Sequence, residues 1–579
     1  METIENISAV QAAQSPLANP VEKRKEKIKN WLKNPYNLIF AAILVFAFII
    51  RLYFFNIAKT QPLWWDESDY MAYAKNLAGF NVDWVATPEH KSLFSFLVAF
   101  LFKFGASEAA TKFILQIIPS TLTVLLVFLI CNEMYKDKRI SLIVAFLMAT
   151  LMEHLFGSMR FHVDITGLFA GFLAIYIFWK GYEKKEKIFG KIDPKYTIPL
   201  TVILVMIVYS IRRGYFLFGV FFLIYMLSTR KWKDLLKDKY NWLALAMVVA
   251  SVFIAEKLIF YSPEVAVGAV STYYHPELPI DFFTVFSIFP AYFTSFTSWP
   301  SVLLYLFWLG FAVLLFNIII SFGHIKKTEK STNVKSDLFN AIIVIVTLAF
   351  FMLVLRVGGG SFGEPRWYFP LLLGTFVAIA RGTLFIVDSI KPYNKYLAVA
   401  LLILLIGIGG YYEVKQADET IKNRATSFNG IKQASLYVKG ISLPEDIILT
   451  GPRPQVAYYA ERTVVNPIIL ANWTGRNEDS PFEPVLEQIE QNSRIKYLFV
   501  SFIEPNHPEW MKKIIYANVN GQTVTSAWEI PFMDTKIDFI NNKQDIKQSK
   551  TYGNLTFTLL DIKEDVFIYK ITRGNSLTE

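Results

Sequence analysis

The chain has 579 residues, of which 54% are hydrophobic and 18% are charged, whereas soluble domains average about 45–50% and about 25%. Its apolar residues form blocks of about 20 residues, the length that crosses a bilayer as a helix. This pattern excludes a string of soluble domains and indicates a polytopic membrane protein. The formal net charge is +10, but the Lys and Arg residues lie between the apolar blocks, so we expect no nucleic-acid partner. The single cysteine, Cys131, excludes a disulfide framework, a zinc–cysteine site and thioredoxin-like chemistry.

Eleven apolar stretches are predicted to cross the membrane as helices. Their approximate bounds are 37–57, 111–131, 139–157, 163–180, 196–212, 214–229, 241–260, 300–323, 338–356, 366–387 and 395–412. A twelfth stretch, Ser92 to Phe104, is too short to span and is predicted to lie along the membrane interface. The predicted fold class is therefore an α-helical polytopic membrane domain over residues 37–412, with about eleven spans plus interfacial helices.

The distribution of positive charge predicts which side of the membrane each loop faces. With the basic segment 1–36 in the cytoplasm, the cytoplasmic connections carry 26 Lys and Arg residues, and the outside loops before residue 413 carry 8. This asymmetry follows the positive-inside rule. We therefore predict a multi-pass protein of the plasma membrane with a cytoplasmic N-terminus and an extracytoplasmic C-terminal segment.

Residues 413–579 have the texture of a small soluble α/β domain. Runs rich in β-branched and aromatic residues alternate there with polar helical stretches such as Thr420 to Lys439. The predicted strands are Ile447 to Thr450, Val456 to Tyr459, Lys496 to Ser501, Asn554 to Ile562 and Val566 to Ile571.

The first outside loop contains the run Trp64-Trp65-Asp66-Glu67-Ser68-Asp69-Tyr70, with three carboxylates in four residues. One interpretation is local, because Asp66 can cap the amphipathic helix that follows, and Glu67 or Asp69 can lie at its positive N-terminus. The other interpretation is an active-site cluster, because a membrane-adjacent carboxylate can act as a general base. The residues alone leave both interpretations open.

Two further outside segments place histidine near acidic groups. Glu89, His90 and Lys91 are consecutive just before the interfacial stretch, and His275 lies in the loop 261–299, which has no Lys or Arg and contains a predicted aromatic interfacial helix. Carboxylate and imidazole groups are ligands for a divalent metal, and an ammonium group binds phosphate. A lone histidine such as His275 is also compatible with a purely structural role.

The short outside turns place charges at the ends of spans, where an unpaired charge is costly. Arg160, His162 and Asp164 stand in one turn, and Arg212 and Arg213 are adjacent in the next. Arginines on the side that is poor in positive charge favour an anion site, since Arg binds phosphate bidentately. The alternatives are a salt bridge between Arg160 and Asp164 and snorkelling of the arginines to lipid headgroups.

A third basic segment opens the tenth predicted span from the outside and reads Glu364-Pro365-Arg366-Trp367-Tyr368-Phe369-Pro370. Glu364 either neutralises Arg366 or shares a site with it. Every outside turn thus carries ionisable groups, whereas the spans contain few. A transporter would place its polar site near the midplane on broken helices, so a polar outer rim instead favours a substrate with a lipid tail and an anionic head.

In order and sidedness these residues resemble the integral-membrane glycosyltransferases of the GT-C fold, and above all the dolichyl-phosphate-mannose protein mannosyltransferases and the lipid A aminoarabinose transferases. The resemblance covers about residues 37–412. It rests on the Asp66-Glu67 pair, Glu89, Asp164, the aromatic loop 261–299 and the run from Arg366 to Pro370. One departure is the run Glu89-His90-Lys91-Ser92-Leu93, where many members have an acidic residue followed by Lys-Pro-Pro-Leu.

The resemblance implies transfer of a sugar, most often mannose or another hexose, from a polyprenyl- or dolichyl-phosphate donor to a hydroxyl of a protein, glycan or lipid acceptor. Transfer would occur on the extracytoplasmic face with inversion. Asp66 would activate the acceptor, with Glu67 in support. The candidate ligands of the donor phosphate are Lys91, Arg160, Arg212, Arg213, Arg366 and Tyr368. The supporting residues would be His162, Asp164 and Glu364.

The resemblance also allows one divalent metal ion (Zn, Mg or Mn), held by Glu89 and His275. No nucleotide or organic cofactor is expected, since no Gly-rich nucleotide loop is present. Three alternatives stay open: a transporter or flippase of lipid-linked sugars, an oligosaccharyltransferase-like catalytic subunit, and a non-catalytic membrane scaffold. In the oligosaccharyltransferases the Trp-Trp-Asp motif lies in the soluble domain, whereas Trp64-Trp65-Asp66 lies in the first loop.

Overall fold

The computed structural model describes residues 26, 29–87, 90–260, 301–321, 332–351, 364–504, 507–519 and 522–574. Most of the described residues before 442 are helical. The helices of this part are α1 (Pro35–Ala58), α2 (Trp65–Ala78), α3 (Leu93–Lys103), α4 (Glu108–Tyr135), α5 (Lys138–Thr150), α6 (Met152–Ser158), α7 (Val163–Glu183), α8 (Pro194–Ile211), α9 (Arg213–Thr229), α10 (Trp232–Lys237), α11 (Lys239–Ile259), α12 (Ser301–Ser321), α13 (Thr332–Ala349), α14 (Pro365–Ile390), α15 (Lys395–Arg424) and α16 (Asn429–Ile441).

Within the described ranges, eight helical segments are long and apolar enough to cross a membrane, and the number is nine if α5 and α6 form one bent span. The multi-pass prediction is confirmed, but the predicted count of eleven is higher than this. The stretch 214–229 corresponds to the shorter apolar helix α9. The stretch 338–356 begins within α13, and its residues beyond 351 lie outside the described residues. The stretch Ser92 to Phe104 forms the short apolar helix α3, whereas the loop 261–299 also lies outside the described residues.

The third predicted span, 139–157, is broken at Leu151, where α5 and α6 meet at an angle of 53°. Arg51 of α1 is fully buried beside this break. Its guanidinium donates to the carbonyl oxygen of Ala149 at 3.3 Å, while Glu413 of α15 accepts the amide hydrogen of Met152 at 2.8 Å. Backbone that is not helical at membrane depth needs such partners because no water is available there. Two ionisable side chains therefore stabilise the orientation of α6.

Helices α12 and α14 approach each other closely through glycine. A Cβ atom at Gly310 would lie 1.7 Å from the carbonyl oxygen of Ala378, and one at Gly382 would lie 2.1 Å from that of Leu306. Small residues allow this backbone-to-backbone packing of membrane helices. The crossing stabilises α14, whose N-terminal end carries Arg366.

The C-terminal part contains two sheets and confirms the predicted α/β domain. The strands are β1 (Ile447–Leu449), β2 (Thr463–Val465), β3 (Ile495–Ser501), β4 (Lys513–Val519), β5 (Gln522–Ile530), β6 (Thr535–Asp538), β7 (Lys543–Asp545), β8 (Ser549–Tyr552), β9 (Leu555–Lys563) and β10 (Val566–Arg573). The first sheet has the order β2-β1-β3-β10-β9-β8, with β1 parallel to β2 and β3, and the second is the antiparallel sheet β4-β5-β6-β7. The helices of this part are α17 (Arg453–Ala460), α18 (Pro467–Leu470) and α19 (Glu483–Gln491).

One predicted strand is wrong, because Val456 to Tyr459 lies in helix α17. Pro452 immediately precedes this helix. The buried side chains of α17 share an apolar cluster with α2 of the first loop. The two parts of the chain are also joined by hydrogen bonds. The Leu63 amide donates to the Tyr459 hydroxyl at 2.9 Å, and the Trp65 indole donates to Glu504 at 3.0 Å. The C-terminal domain therefore supports the start of α2.

Candidate active site

Asp66 lies in the first turn of α2, next to the most heavily charged part of the described structure. The helix has Trp64 at its N-cap position and no capping side chain, so the local interpretation of Asp66 as a cap is wrong. Its carboxylate instead accepts a hydrogen bond from Arg366 Nη2 at 2.6 Å. Burial raises the pKa of Asp66, but the charge and hydrogen bond of Arg366 together with the charges of His90 and Arg212 outweigh this, and the pKa lies below its ordinary value. Asp66 is therefore an ionised carboxylate at neutral pH.

Arg366, at the start of α14, contacts several residues of the site. Besides Asp66, its guanidinium contacts Glu364 and hydrogen-bonds His162 Nδ1 at 2.5 Å. Burial, and then the charge of Arg366, keeps the pKa of His162 well below its ordinary value, so the neutral imidazole can accept this bond. The structure thus brings together four of the predicted residues from three separate segments of the chain.

A second contact of Asp66 comes from a residue that was not among the predicted site residues. His90 Nε2 lies 3.5 Å from Asp66 Oδ1, and His90 Nδ1 lies 2.7 Å from Asp69 Oδ2. Asp69 is in turn held by the Trp84 indole at 2.5 Å and by Thr87. Active sites commonly contain a carboxylate that fixes the orientation of an imidazole next to the reacting group, and Asp69 is placed to do this for His90. The adjacency of His90 to Glu89 and Lys91 was the available sequence signal.

Asp164, at the start of α7, is nearly inaccessible to solvent and is held by cations. Arg212 Nε lies 2.8 Å from its Oδ1, the Tyr215 hydroxyl donates to the same oxygen at 3.2 Å, and Arg366 Nη1 lies 3.8 Å from its Oδ2. Arg212 therefore pairs with Asp164 and does not snorkel to lipid. A buried carboxylate between two arginines keeps both guanidinium groups in place.

Arg160 is buried behind this cluster and does not pair with Asp164. Its Nε contacts Glu67 Oε1, and its guanidinium lies 3.6 Å from the centre of the Trp64 ring. Both terminal nitrogens of Arg160 are buried without a hydrogen-bond partner. Asp66 borders two cavities, a first one on the side of Arg212 and a second one on the side of α6, and Arg160 lines neither of them. The contacts of Arg160 place it next to Glu67 and the start of α2.

The other predicted phosphate ligands are more scattered. Lys91 is buried and lines the first of these cavities, and Arg213 also lines it while pairing with Glu256 at 3.0 Å. Tyr368 is buried against Phe351, with ring centres 4.2 Å apart, and lines neither cavity.

Two cavities meet at Asp66, Glu364 and Arg366, which line both of them. The first cavity has a volume of ≈ 440 Å³, and its charged lining consists of four cations and two carboxylates: Lys91, Arg212, Arg213, Arg366, Asp66 and Glu364. Tyr209 and Phe216 join it to an apolar cavity of ≈ 780 Å³ between helices α8, α9 and α11. The second cavity has a volume of ≈ 510 Å³ and lies between the start of α2, α6 and the outer part of α15.

The predicted metal site cannot be assembled from described residues, because Glu89 and His275 both lie outside them. Among the residues that the structure describes, no group of three or more His, Cys, Asp or Glu side chains is placed to hold a metal ion. Asp66 itself already contacts Arg366 and His90. The described residues therefore do not fit a metal ion, and no step of the reaction is assigned to one.

Comparison with known proteins identifies the architecture. Residues 89–258 match the family model of the dolichyl-phosphate-mannose-protein mannosyltransferases. The apo oligosaccharyltransferase of Archaeoglobus fulgidus superimposes with a TM-score of 0.53 and 13% identity, over 80% of this chain and 69% of that chain. The protein has the GT-C fold. Apo ArnT of Cupriavidus metallidurans, with a TM-score of 0.50 and 12% identity, aligns over 94% of this chain and 98% of that chain. No curated protein sequence matches the chain.

The GT-C fold and the family match support a glycosyltransferase that uses a lipid-phosphate-linked sugar. The membrane helices followed by a β-sheet domain agree with the predicted fold class. The second cavity and its buried Glu153 were not predicted from the sequence. The only sequence signal for them was a pair of adjacent ionisable residues, Glu153-His154, inside a predicted span.

Proposed function

We propose that the protein transfers a hexose, most simply mannose, from a polyprenyl- or dolichyl-phosphate donor to an acceptor hydroxyl on the extracytoplasmic face of the plasma membrane, with inversion at the anomeric carbon. One observation carries the proposal: the Asp66–Arg366 pair lies between a cation-rich cavity that continues into an apolar groove and a second cavity on its other side. A carboxylate, a phosphate site and a lipid groove are the parts that this reaction requires.

The first cavity suits the donor. Its cations outnumber its carboxylates, which favours an anionic phosphate, and Arg212 is already fixed by Asp164. The neighbouring apolar cavity of ≈ 780 Å³ is lined almost entirely by hydrocarbon side chains, which suits a prenyl chain. The archaeal oligosaccharyltransferase AglB has been solved with an inhibitory peptide and dolichol-phosphate. We infer that the first cavity of this protein likewise takes a lipid phosphate.

Asp66 is the residue assigned to the acceptor. Its ionised carboxylate can accept the hydrogen of an acceptor hydroxyl, which orients the oxygen lone pair towards the anomeric carbon of the donor. As the C–O bond to the sugar forms, the bond to the phosphate oxygen breaks and the hydroxyl proton passes to the carboxylate. Arg366, Arg212 and Lys91 stabilise the negative charge that stays on the lipid phosphate.

The test replaces Asp66 by Asn and measures transfer of radiolabelled sugar from a polyprenyl-phosphate donor in detergent. General-base catalysis contributes about 10²–10⁴-fold, so a loss of that size is expected. Asp83→Asn is the matched control, because Asp83 lies in the same loop and is exposed. Full activity of Asp66→Asn would refute the role of Asp66. A wild-type protein that neither transfers nor hydrolyses the donor would favour a flippase or a scaffold.

A further inference from the structure

The second cavity is lined by α2, α6, α14 and α15, and its polar lining differs from that of the first cavity. Its charged lining consists of four carboxylates and two cations: Asp66, Glu67, Glu153, Glu364, Arg366 and Arg424. Carboxyl groups outnumber cations in this lining, which favours a ligand that donates hydrogen bonds over an anionic one. The two cavities that share the Asp66–Arg366 pair therefore select groups of different chemistry.

Glu153 of α6 is the unexplained side chain of this cavity. It is 8% exposed, and no other residue that the structure describes hydrogen-bonds its carboxyl oxygens. A buried carboxylate without a partner costs more than most single side-chain contacts contribute. The residue lies beside the Leu151 break, and the Arg51 and Glu413 contacts there satisfy backbone groups and not Glu153. No other side chain in the described ranges therefore compensates its burial, although it lines an open cavity of ≈ 510 Å³.

The hydrogen-bonding capacity of Glu153 limits what can compensate it. An ionised carboxyl group accepts at about four lone-pair sites, and a protonated one both donates and accepts, so a ligand with several adjacent hydroxyls satisfies either form best. A Ser or Thr side chain supplies one hydroxyl, and that hydroxyl is already needed at Asp66. A sugar ring supplies further hydroxyls next to the one that reacts. The rings of Trp65 and Phe156 also line the cavity, and Trp65 is half exposed, which provides apolar faces for the C–H side of a pyranose.

We propose that the second cavity binds a neutral glycan as the acceptor and that Glu153 is the specificity-determining residue that accepts hydrogen bonds from its non-reacting hydroxyls. This inference rests on the proposed glycosyltransferase activity and specifies its acceptor. Glu67 offers a second carboxylate to the same glycan, while its other contact, with Arg160, fixes its position. A Ser/Thr peptide is the competing acceptor.

The experiment compares wild type with Glu153→Gln in detergent, using a radiolabelled polyprenyl-phosphate mannose donor. Three rates are measured: transfer to a series of neutral oligosaccharides, transfer to a Ser/Thr peptide, and hydrolysis of the donor by water. Wild type is expected to use oligosaccharides in preference to the peptide. Glu153→Gln is expected to raise KM for the oligosaccharides at least tenfold with a smaller change in kcat, and to leave donor hydrolysis unchanged. Glu186→Gln is the matched control, since Glu186 is exposed in a loop at the other end of α7.

A stability measurement separates this role from a structural one. Since Glu153 has no partner, Glu153→Gln is expected to leave the melting temperature unchanged or raise it, whereas a structural carboxylate would lower it on replacement. The inference is overturned if KM for oligosaccharides is unchanged in Glu153→Gln, or if wild type glycosylates the peptide and no oligosaccharide. If wild type shows neither transfer nor donor hydrolysis, the proposed glycosyltransferase activity is itself refuted. Donor hydrolysis therefore distinguishes failure of the proposed function from failure of the glycan inference alone.

Discussion

Replacement of Arg366 by Gln should change both the rate and the pH dependence of transfer. The charge centres of a guanidinium and a carboxylate in direct contact are about 4 Å apart, which gives about 4 kcal/mol at an effective dielectric constant of about 20. The side chain of Asp66 is 32% exposed, so water screens much of this interaction and only part of it remains.

The sign of the change follows from the contacts of Asp66. In the wild type Arg366 is the largest of the contacts that together overcome burial and keep the pKa of Asp66 below its ordinary value. Without Arg366, burial raises that pKa, so the carboxylate is protonated at a higher pH and the acidic limb of the kcat/KM profile moves to higher pH. The rate at the optimum should also fall by about 10²–10³, because one cation facing the leaving phosphate is lost.

The assay is a pH profile of donor-dependent transfer from pH 4 to pH 8 for wild type, Arg366→Gln and Arg366→Lys. Arg139→Gln is the control, because Arg139 pairs with Asp388 at 2.6 Å at the opposite ends of α5 and α14. The lysine variant should keep the wild-type acidic limb and lose part of the rate, since it retains the charge but not the fork of donors. A lowered rate with an unmoved acidic limb would show that Arg366 does not control the ionisation of Asp66.

Three further predictions concern stability and are measured by thermal or denaturant unfolding of the full chain in detergent. Arg51→Met should lower the free energy of unfolding by about 3 kcal/mol or more, since it removes the partners of the break at Leu151, and an unchanged stability would contradict that role. Gly310→Ala should also destabilise by more than about 2 kcal/mol, since its Cβ would lie 1.7 Å from a backbone oxygen that cannot rotate away; a neutral substitution would refute the close crossing. Burial lowers the pKa of His507 from 6.5 to about 3, so the unfolded chain binds a proton that the folded chain does not. The free energy of unfolding should therefore fall as the pH drops below about 6.5, by ~2 kcal/mol at pH 5. His507→Gln should lose this pH dependence, and an unchanged dependence would show that the imidazole is not its source.

The helices and the site differ in how far the sequence predicts them. Length and hydropathy place the spans, because a bilayer imposes one length on every helix that crosses it. Charge asymmetry orders the loops, and it correctly groups Asp66, Asp164 and Arg366 at the same end of the bundle. The pairing between these residues depends on side-chain packing, which no pattern in a single sequence records. Arg160 illustrates this, because the nearest acid in sequence is Asp164 while its actual partner is Glu67, 93 residues away.

The break at Leu151 shows a second limit of the sequence. The stretch 139–157 has the length and hydropathy of an ordinary span, and no Pro or Gly precedes the bend to mark it. The bend depends on Arg51 and Glu413, which come from α1 and α15. A contact between segments so far apart in the chain determines where α6 points, and α6 carries Glu153. The second cavity was therefore not predictable from local patterns, even though Glu153 and His154 are conspicuous within a span.

The arrangement of the two cavities also bears on the stereochemistry of the proposed reaction. In an inverting transfer the acceptor oxygen and the departing phosphate lie on opposite sides of the anomeric carbon, so they need separate sites with a shared boundary. Asp66 and Arg366 form that boundary, with more cations than carboxyl groups in the lining on one side and more carboxyl groups than cations on the other. A double displacement would instead require a protein side chain to attack the sugar first, from the side of the anomeric carbon that the acceptor occupies in a single displacement. Asp66 is held by Arg366 and His90, and these contacts fix its carboxylate in place at the boundary, where it can orient an acceptor hydroxyl. The charge pattern and the contacts of Asp66 thus both support a single inverting step between the cavities.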